Sequence, residues 1–142
     1  IVGAAGEVAY LSNREEGTRM LGPATYGLSN ALLDGPWHKV ESSKEKLSAL
    51  LDSDEVNETS IMRLMSERGK APVSEVERGH LDFGTAHANT APFIVMPDYG
   101  TRCTTVLLAD KDGGWRFTEQ RFDPAGRKAG ESRFSIQDPG YS

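Results

Sequence analysis

The chain has 142 residues, and 16 Lys and Arg against 21 Asp and Glu leave a formal net charge of −5. With 37% hydrophobic and 26% charged residues, it has the make-up of one globular domain and not of a disordered tail, a collagen-like repeat or a fibre. Scattered basic residues give no stripe to neutralise phosphates, no run approaches the roughly 18 apolar residues of a membrane span, and a lone Cys103 excludes internal disulfides and Cys-rich zinc clusters.

The chain opens on Ile1 without a Met, which predicts a processed product or a piece of something longer. Residues 2–12 end in a Val8/Tyr10 alternation and then reach Asn13 and Gly17, which predicts a strand followed by a loop. Residues 22–30 mix turn formers with single apolar residues, as an ordered loop or very short strand does. Pro36, after Asp34 and Gly35, begins a predicted helix on which Trp37, Val40, Leu47, Leu50 and Leu51 share an arc of roughly 140°, with Lys44 intruding. A second helix is predicted over 58–68, where Ile61, Leu64 and Met65 share a face. Residues 69–91 carry no sustained period and read as a long loop.

The apolar run Phe93 to Met96 then leads into Pro97-Asp98-Tyr99-Gly100, and 101–109 read as a strand. A turn at 110–114 returns the chain as a hairpin through Phe122. Val106 and Leu108 share one parity and Cys103, Leu107 and Ala109 the other, so the strand is expected in a sheet interior with both faces covered, and Cys103 as a buried structural thiol. Phe134 and Ile136 predict a last short strand before Asp138-Pro139-Gly140 ends the chain. The whole reads as a layered α+β fold, with few helices for a sheet covered on both faces.

Most chemical motifs dissolve on inspection. Ile1-Val2-Gly3 looks like the start of an activated trypsin-like protease, but no Gly-Asp-Ser-Gly loop accompanies it. Gly3-x-x-Gly6 has no helix behind it to form a dinucleotide loop, and no other cofactor motif is present. His38, His80 and His87 lack metal-ligand spacing and read as surface or loop residues. The acidic residues Asp52, Asp54, Glu55 and Glu58 read as a solvated helix junction.

Two clusters have both a structural and a functional reading. Tyr26-Gly27-Leu28-Ser29-Asn30 with Trp37 gathers polar and aromatic groups around a glycine, and an Asn in such a loop can donate its amide to a developing oxyanion. Tyr99-Gly100-Thr101-Arg102 sets a guanidinium at the start of an apolar strand, either paired with a carboxylate or awaiting an anionic group.

The run Tyr26 to Leu33 followed by Pro36-Trp37-His38-Lys39 resembles the transport and Golgi organisation protein 2, or NRDE, family. So does the run Pro97 to Leu108, with its hairpin through Phe117 to Arg121. Members of that family are longer, and this chain looks like their C-terminal half, so a partner is expected in the N-terminal half of its own parent protein. The resemblance implies part of an αββα four-layer sandwich related to the N-terminal-nucleophile hydrolases, with a nucleophilic Cys in the missing half. Asn13-Arg14-Glu15-Glu16 looks like the naming motif but stands in the wrong place, and Cys103, inside a strand, lacks the free α-amine that serves as base.

The Leu28-Ser29-Asn30 stretch also resembles the oxyanion loop of the penicillin V acylase and bile salt hydrolase families. The Thr101 to Val106 run resembles the Tyr-Ser-Ser strand near the site of those families. Together the two resemblances imply Asn30 and Arg102 as catalytic residues and Tyr26, Ser29, Tyr99 and Thr101 as substrate-binding ones. The family resemblance leaves open hydrolysis of a small amide, non-catalytic carriage of haem or acyl-CoA in the same cleft, and a scaffold domain whose cleft is vestigial. No resident cofactor or metal is expected, and the lone cysteine with no signal-like start makes the cytoplasm the expected compartment.

Overall fold

A computed structural model describes residues 2–4, 7–111 and 113–137. The turn expected at 138–140 lies outside the described residues, as do Ile1, Gly6 and Asp112 of the motifs named above. The fold is mixed α and β, with two separate three-stranded antiparallel sheets and few helices.

The first sheet is a meander of β1 (Val2–Ala4), β2 (Glu7–Leu11) and β3 (Thr18–Leu21), with β2 central. The single strand expected over 2–12 is therefore two strands, and a third follows where only a loop was expected. Thr18-Arg19-Met20-Leu21 carries no alternating pattern because most of that strand is exposed. Tyr10 on β2 is buried, and its hydroxyl has no hydrogen-bond partner among the described residues.

Helices α1 (His38–Asp52) and α2 (Glu58–Met65) come next. Of the α1 stripe only Val40 is buried; Leu47 and Leu50 are half-buried, and Trp37 and Leu51 are exposed. α2 begins with a reciprocal cap: Asn57 Oδ1 accepts from the Ser60 amide at 3.0 Å, and Ser60 Oγ accepts from the Asn57 amide at 3.0 Å. It buries Met62 and Leu64.

The stretch 69–91 is not an irregular loop. It holds a 3-10 turn at Val73–Glu75 and a helix α3 (Phe83–Ala88), capped by Asp82, whose carboxylate accepts from the Thr85 amide at 3.0 Å. Thr90 Oγ1 accepts from the Ala71 amide at 2.9 Å, and the His87 ring meets the Ala71 carbonyl at 3.0 Å, so the two ends of the stretch are tied. Ala71, Ala86, Ala88 and Ala91 are buried there. Small residues pack through close approach and leave little periodic signal, which is why the pattern reading passed over this helix.

The second sheet is β4 (Cys103–Ala109), β5 (Gly114–Phe122) and β6 (Lys128–Gln137), in that order. β6 has ten residues where a short strand was expected. β4 is an edge strand, not an interior one, and only one of its faces is buried: Thr104 and Val106 point inward while Cys103, Thr105 and Leu107 are exposed. Cys103 is thus an exposed thiol, contrary to the buried role expected for it. The inward face meets α2, where Thr118 Oγ1 donates to Glu58 at 2.8 Å and Arg116 pairs with the same carboxylate at 3.4 Å. Phe93 and Phe122 close the core edge to face, with centroids 4.7 Å apart.

Candidate functional site

Both sequence clusters form loops of one design. In the first, the Asp34 amide donates to the Gly27 carbonyl at 2.7 Å, the Gly27 amide donates to Asp34 Oδ1 at 2.9 Å, and Leu28 bridges Leu33. Ser29 to Leu32 become the tip of a closed loop, and Asp34 adopts the left-handed φ of 57° that ends it. Lys44 on α1 donates to the same Asp34 oxygen at 2.6 Å, which explains why a lysine interrupts the apolar stripe of that helix. That bond, the Gly27 amide and the Lys44 charge hold the Asp34 carboxyl below its ordinary value of 3.8. The loop lies directly on α1 because residue 27 has no side chain. A Cβ there would stand 2.5 Å from Val40 Cγ1 and 3.2 Å from Lys44 Cδ.

The second loop runs from Ile94 to Thr101. The Thr101 amide donates to the Ile94 carbonyl at 2.8 Å, Thr101 Oγ1 accepts from the Ile94 amide at 2.9 Å, and Val95 bridges Gly100. Gly100 is required, since a Cβ would meet the Ile94 carbonyl oxygen at 2.8 Å. Arg102 follows; its carbonyl accepts from the Phe122 amide at 2.9 Å, and its exposed side chain makes no ion pair among the described residues.

Each loop borders a cavity, and the two cavities share no lining residue. The smaller, about 260 Å³, is lined by Tyr99, Thr101 and Arg102 with Asp98 and Asp123. The larger, about 590 Å³, is lined by Tyr26, Ser29 and Asn30 from the loop, Lys39 and Lys44 from α1, and an apolar floor that includes Val40 and Leu64. The structure therefore brings Tyr26, Ser29 and Asn30 together, and Tyr99, Thr101 and Arg102 together, without joining the two sets in one cleft. Cys103 lines neither cavity.

Asn30 is exposed on its loop tip, where its Oδ1 accepts from Ser29 Oγ at 3.3 Å and its amide nitrogen remains a donor. Lys39 is the residue that pattern reading missed. It is half-buried, forms no ion pair among the described residues, and lies 5.3 Å over the Trp37 ring. Burial lowers its pKa from the ordinary 10.5. Its signal was present in the Pro36-Trp37-His38-Lys39 run, but nothing in a linear pattern says which side of a first helical turn faces a cavity. No group of three or more His, Cys, Asp or Glu among the described residues is arranged to hold a metal ion.

The family model for Transport and Golgi organisation 2 matches residues 1–124. The chain belongs to this family. Among its relatives, the Transport and Golgi organization protein 2 homolog of Bos taurus is 32% identical, over 92% of this chain and 51% of its own length. The Homo sapiens homolog is 34% identical over 80% of this chain and 44% of its own length. The chain spans about half the length of these relatives. Both cavity-bordering loops fall inside the family-matched region.

Proposed function

We propose that the larger cavity binds an amphipathic small molecule with an anionic group, as haem and acyl-CoA are, and that this chain is the C-terminal half of a family domain that carries such a ligand. The observation that carries the reading is Lys39. A half-buried ammonium with no ion-pair partner among the described residues, beside an apolar floor, is a costly arrangement that an anionic headgroup would neutralise while its apolar body covers Val40, Leu47 and Leu64. Tyr26 and Ser29 offer hydroxyls at the rim. The packing of α2 on the β4–β6 sheet is what one half of an αββα sandwich would supply.

The test is a titration with haem and with a long-chain acyl-CoA, followed by haem absorbance and Trp fluorescence. Saturable binding is expected, weakened about tenfold by Lys39→Ala and restored by Lys39→Arg, since about 1.4 kcal/mol is a factor of ten. Equal affinity of Lys39→Ala, or no saturable binding by the unaltered chain, would discard the reading.

Amide hydrolysis is the second reading, favoured by the free amide donor of Asn30 on its loop tip. The nucleophile would come from the portion of the parent that this chain lacks, and Arg102 would orient an anionic substrate only if the full protein brings the two cavities together. In a full-length family member, a Cys-directed acylating probe should label an N-terminal Cys. Replacing the residue equivalent to Asn30 by Ala should then lower kcat by about 10²- to 10³-fold, the usual loss for one oxyanion donor. An unlabelled Cys would remove this reading and leave the first untouched.

A further inference from the structure

The two ammonium groups that line the larger cavity are not equivalent. Lys44 Nζ lies 2.6 Å from Asp34 Oδ1, with the two side chains 31% and 28% exposed, so the charge of Lys44 is already neutralised in a shielded pair. Lys39 forms no ion pair among the described residues, and its ammonium is turned back over the Trp37 ring. None of the lining residues, all of them among the described ones, is an Asp or Glu. The cavity therefore offers a ligand one uncompensated positive charge. The apolar wall extends from that charge toward the C-terminal end of α1. Val40 and Leu47 lie two turns apart on that helix, roughly 10 Å, and Ile61, Leu64 and Met65 of α2 line the same cavity.

We infer that the ligand of this cavity is a single-chain amphiphile with one negative charge, an alkyl monocarboxylate, with its carboxylate on Lys39 and its chain along Val40 and Leu47. This rests on the reading of the cavity as an amphiphile site and narrows it to a class. A second negative charge inside would have to draw Lys44 off Asp34, leaving a partly buried carboxylate without its cation, or would itself stay desolvated without a partner. Either cost offsets the added attraction. A headgroup with several charges, as in CoA, is held no more tightly than a plain carboxylate, because its phosphates must remain in water outside the cavity.

The test follows Trp37 fluorescence in the 142-residue chain carrying Trp115→Phe, which leaves one Trp as reporter. It is run at about pH 8, where an alkyl phosphate is doubly charged. The probes share one chain length: dodecanoate, dodecyl phosphate, dodecanoyl-CoA and dodecyltrimethylammonium. Dodecanoate is expected to bind saturably, at least as tightly as the phosphate and the CoA thioester, and about tenfold more tightly than the ammonium probe. Lys39→Gln should abolish that preference for the anion. Asp34→Asn, which frees Lys44, should raise the ratio of phosphate to carboxylate affinity about tenfold, whereas a loop merely loosened by the substitution would weaken both probes and leave the ratio where it was. With Asp34 in place, phosphate or CoA binding about tenfold tighter than dodecanoate overturns the inference, as does equal binding of the ammonium probe. An unmoved ratio in Asp34→Asn overturns it too. Saturable binding of haem or acyl-CoA without binding of dodecanoate would leave the broader reading standing and remove this one, and no saturable binding of any probe removes both.

Discussion

Gly27 and Asp34 decide whether the Asn30 loop holds its shape. At Gly27 a methyl group meets a branch of the buried Val40, which cannot swing away as a long side chain would. Gly27→Ala is therefore expected to destabilise the chain by about 1–3 kcal/mol, the usual cost of overpacking, as measured by urea unfolding. Asp34 acts through charge. Its folded-state pKa is lowered by Lys44 and the Gly27 amide, so its contribution is fully present above the unfolded value near 3.8 and is lost as pH falls through the folded value. The Tm difference between the unaltered chain and Asp34→Asn, which keeps a side chain tolerant of left-handed backbone, should be constant near pH 7 and shrink below pH 4. Glu131 obeys the same sign: bonds from Lys128, Arg133 and Gln120 hold it down to about 2, so its share of stability is lost progressively as pH falls from the ordinary 4.5 through 2.

α2 joins the cavity to the sheet. Its Ile61, Leu64 and Met65 line the larger cavity, while its first residue, Glu58, is held by Thr118 and Arg116 of β5. Losing its cap should loosen both. Asn57→Ala is expected to cost about 1 kcal/mol by thermal unfolding. Thr118→Val leaves Glu58 short of one hydrogen bond at a side chain that is 23% exposed, and a loss of about 1 kcal/mol is expected there too. The 69–91 stretch shows what element-scale patterning overlooks. Its order depends on Thr90 and His87 reaching back to Ala71, contacts between residues nearly twenty positions apart that no local period records.

A ligand in the larger cavity would stabilise the whole molecule by mass action. At a hundredfold excess over Kd the gain is about 2.7 kcal/mol, so acyl-CoA or haem should raise Tm by several degrees, and Lys39→Ala should reduce that rise at the same ligand concentration. At the same scale the two faces of the second sheet differ. Thr104, Val106 and Thr118 are buried on the side that meets α2, and the other side keeps Leu107 and Phe134 largely exposed.

The sequence alone determined the α+β class, the two main helices, the 103–122 hairpin and both loop motifs, and its long motif runs pointed to the right family. These are local properties, written in periodicity, in turn residues such as Gly100 and Gly113, and in consecutive identities. Only the tertiary structure decided that Asn30 and Arg102 border separate cavities, that Lys39 faces one of them, that Lys44 clamps Asp34, and that Cys103 is exposed. Each depends on which side of an element meets another part of the chain. Apolar residues at both parities of β4 say that the strand suits burial on two faces, but burial itself depends on what else is present to pack there.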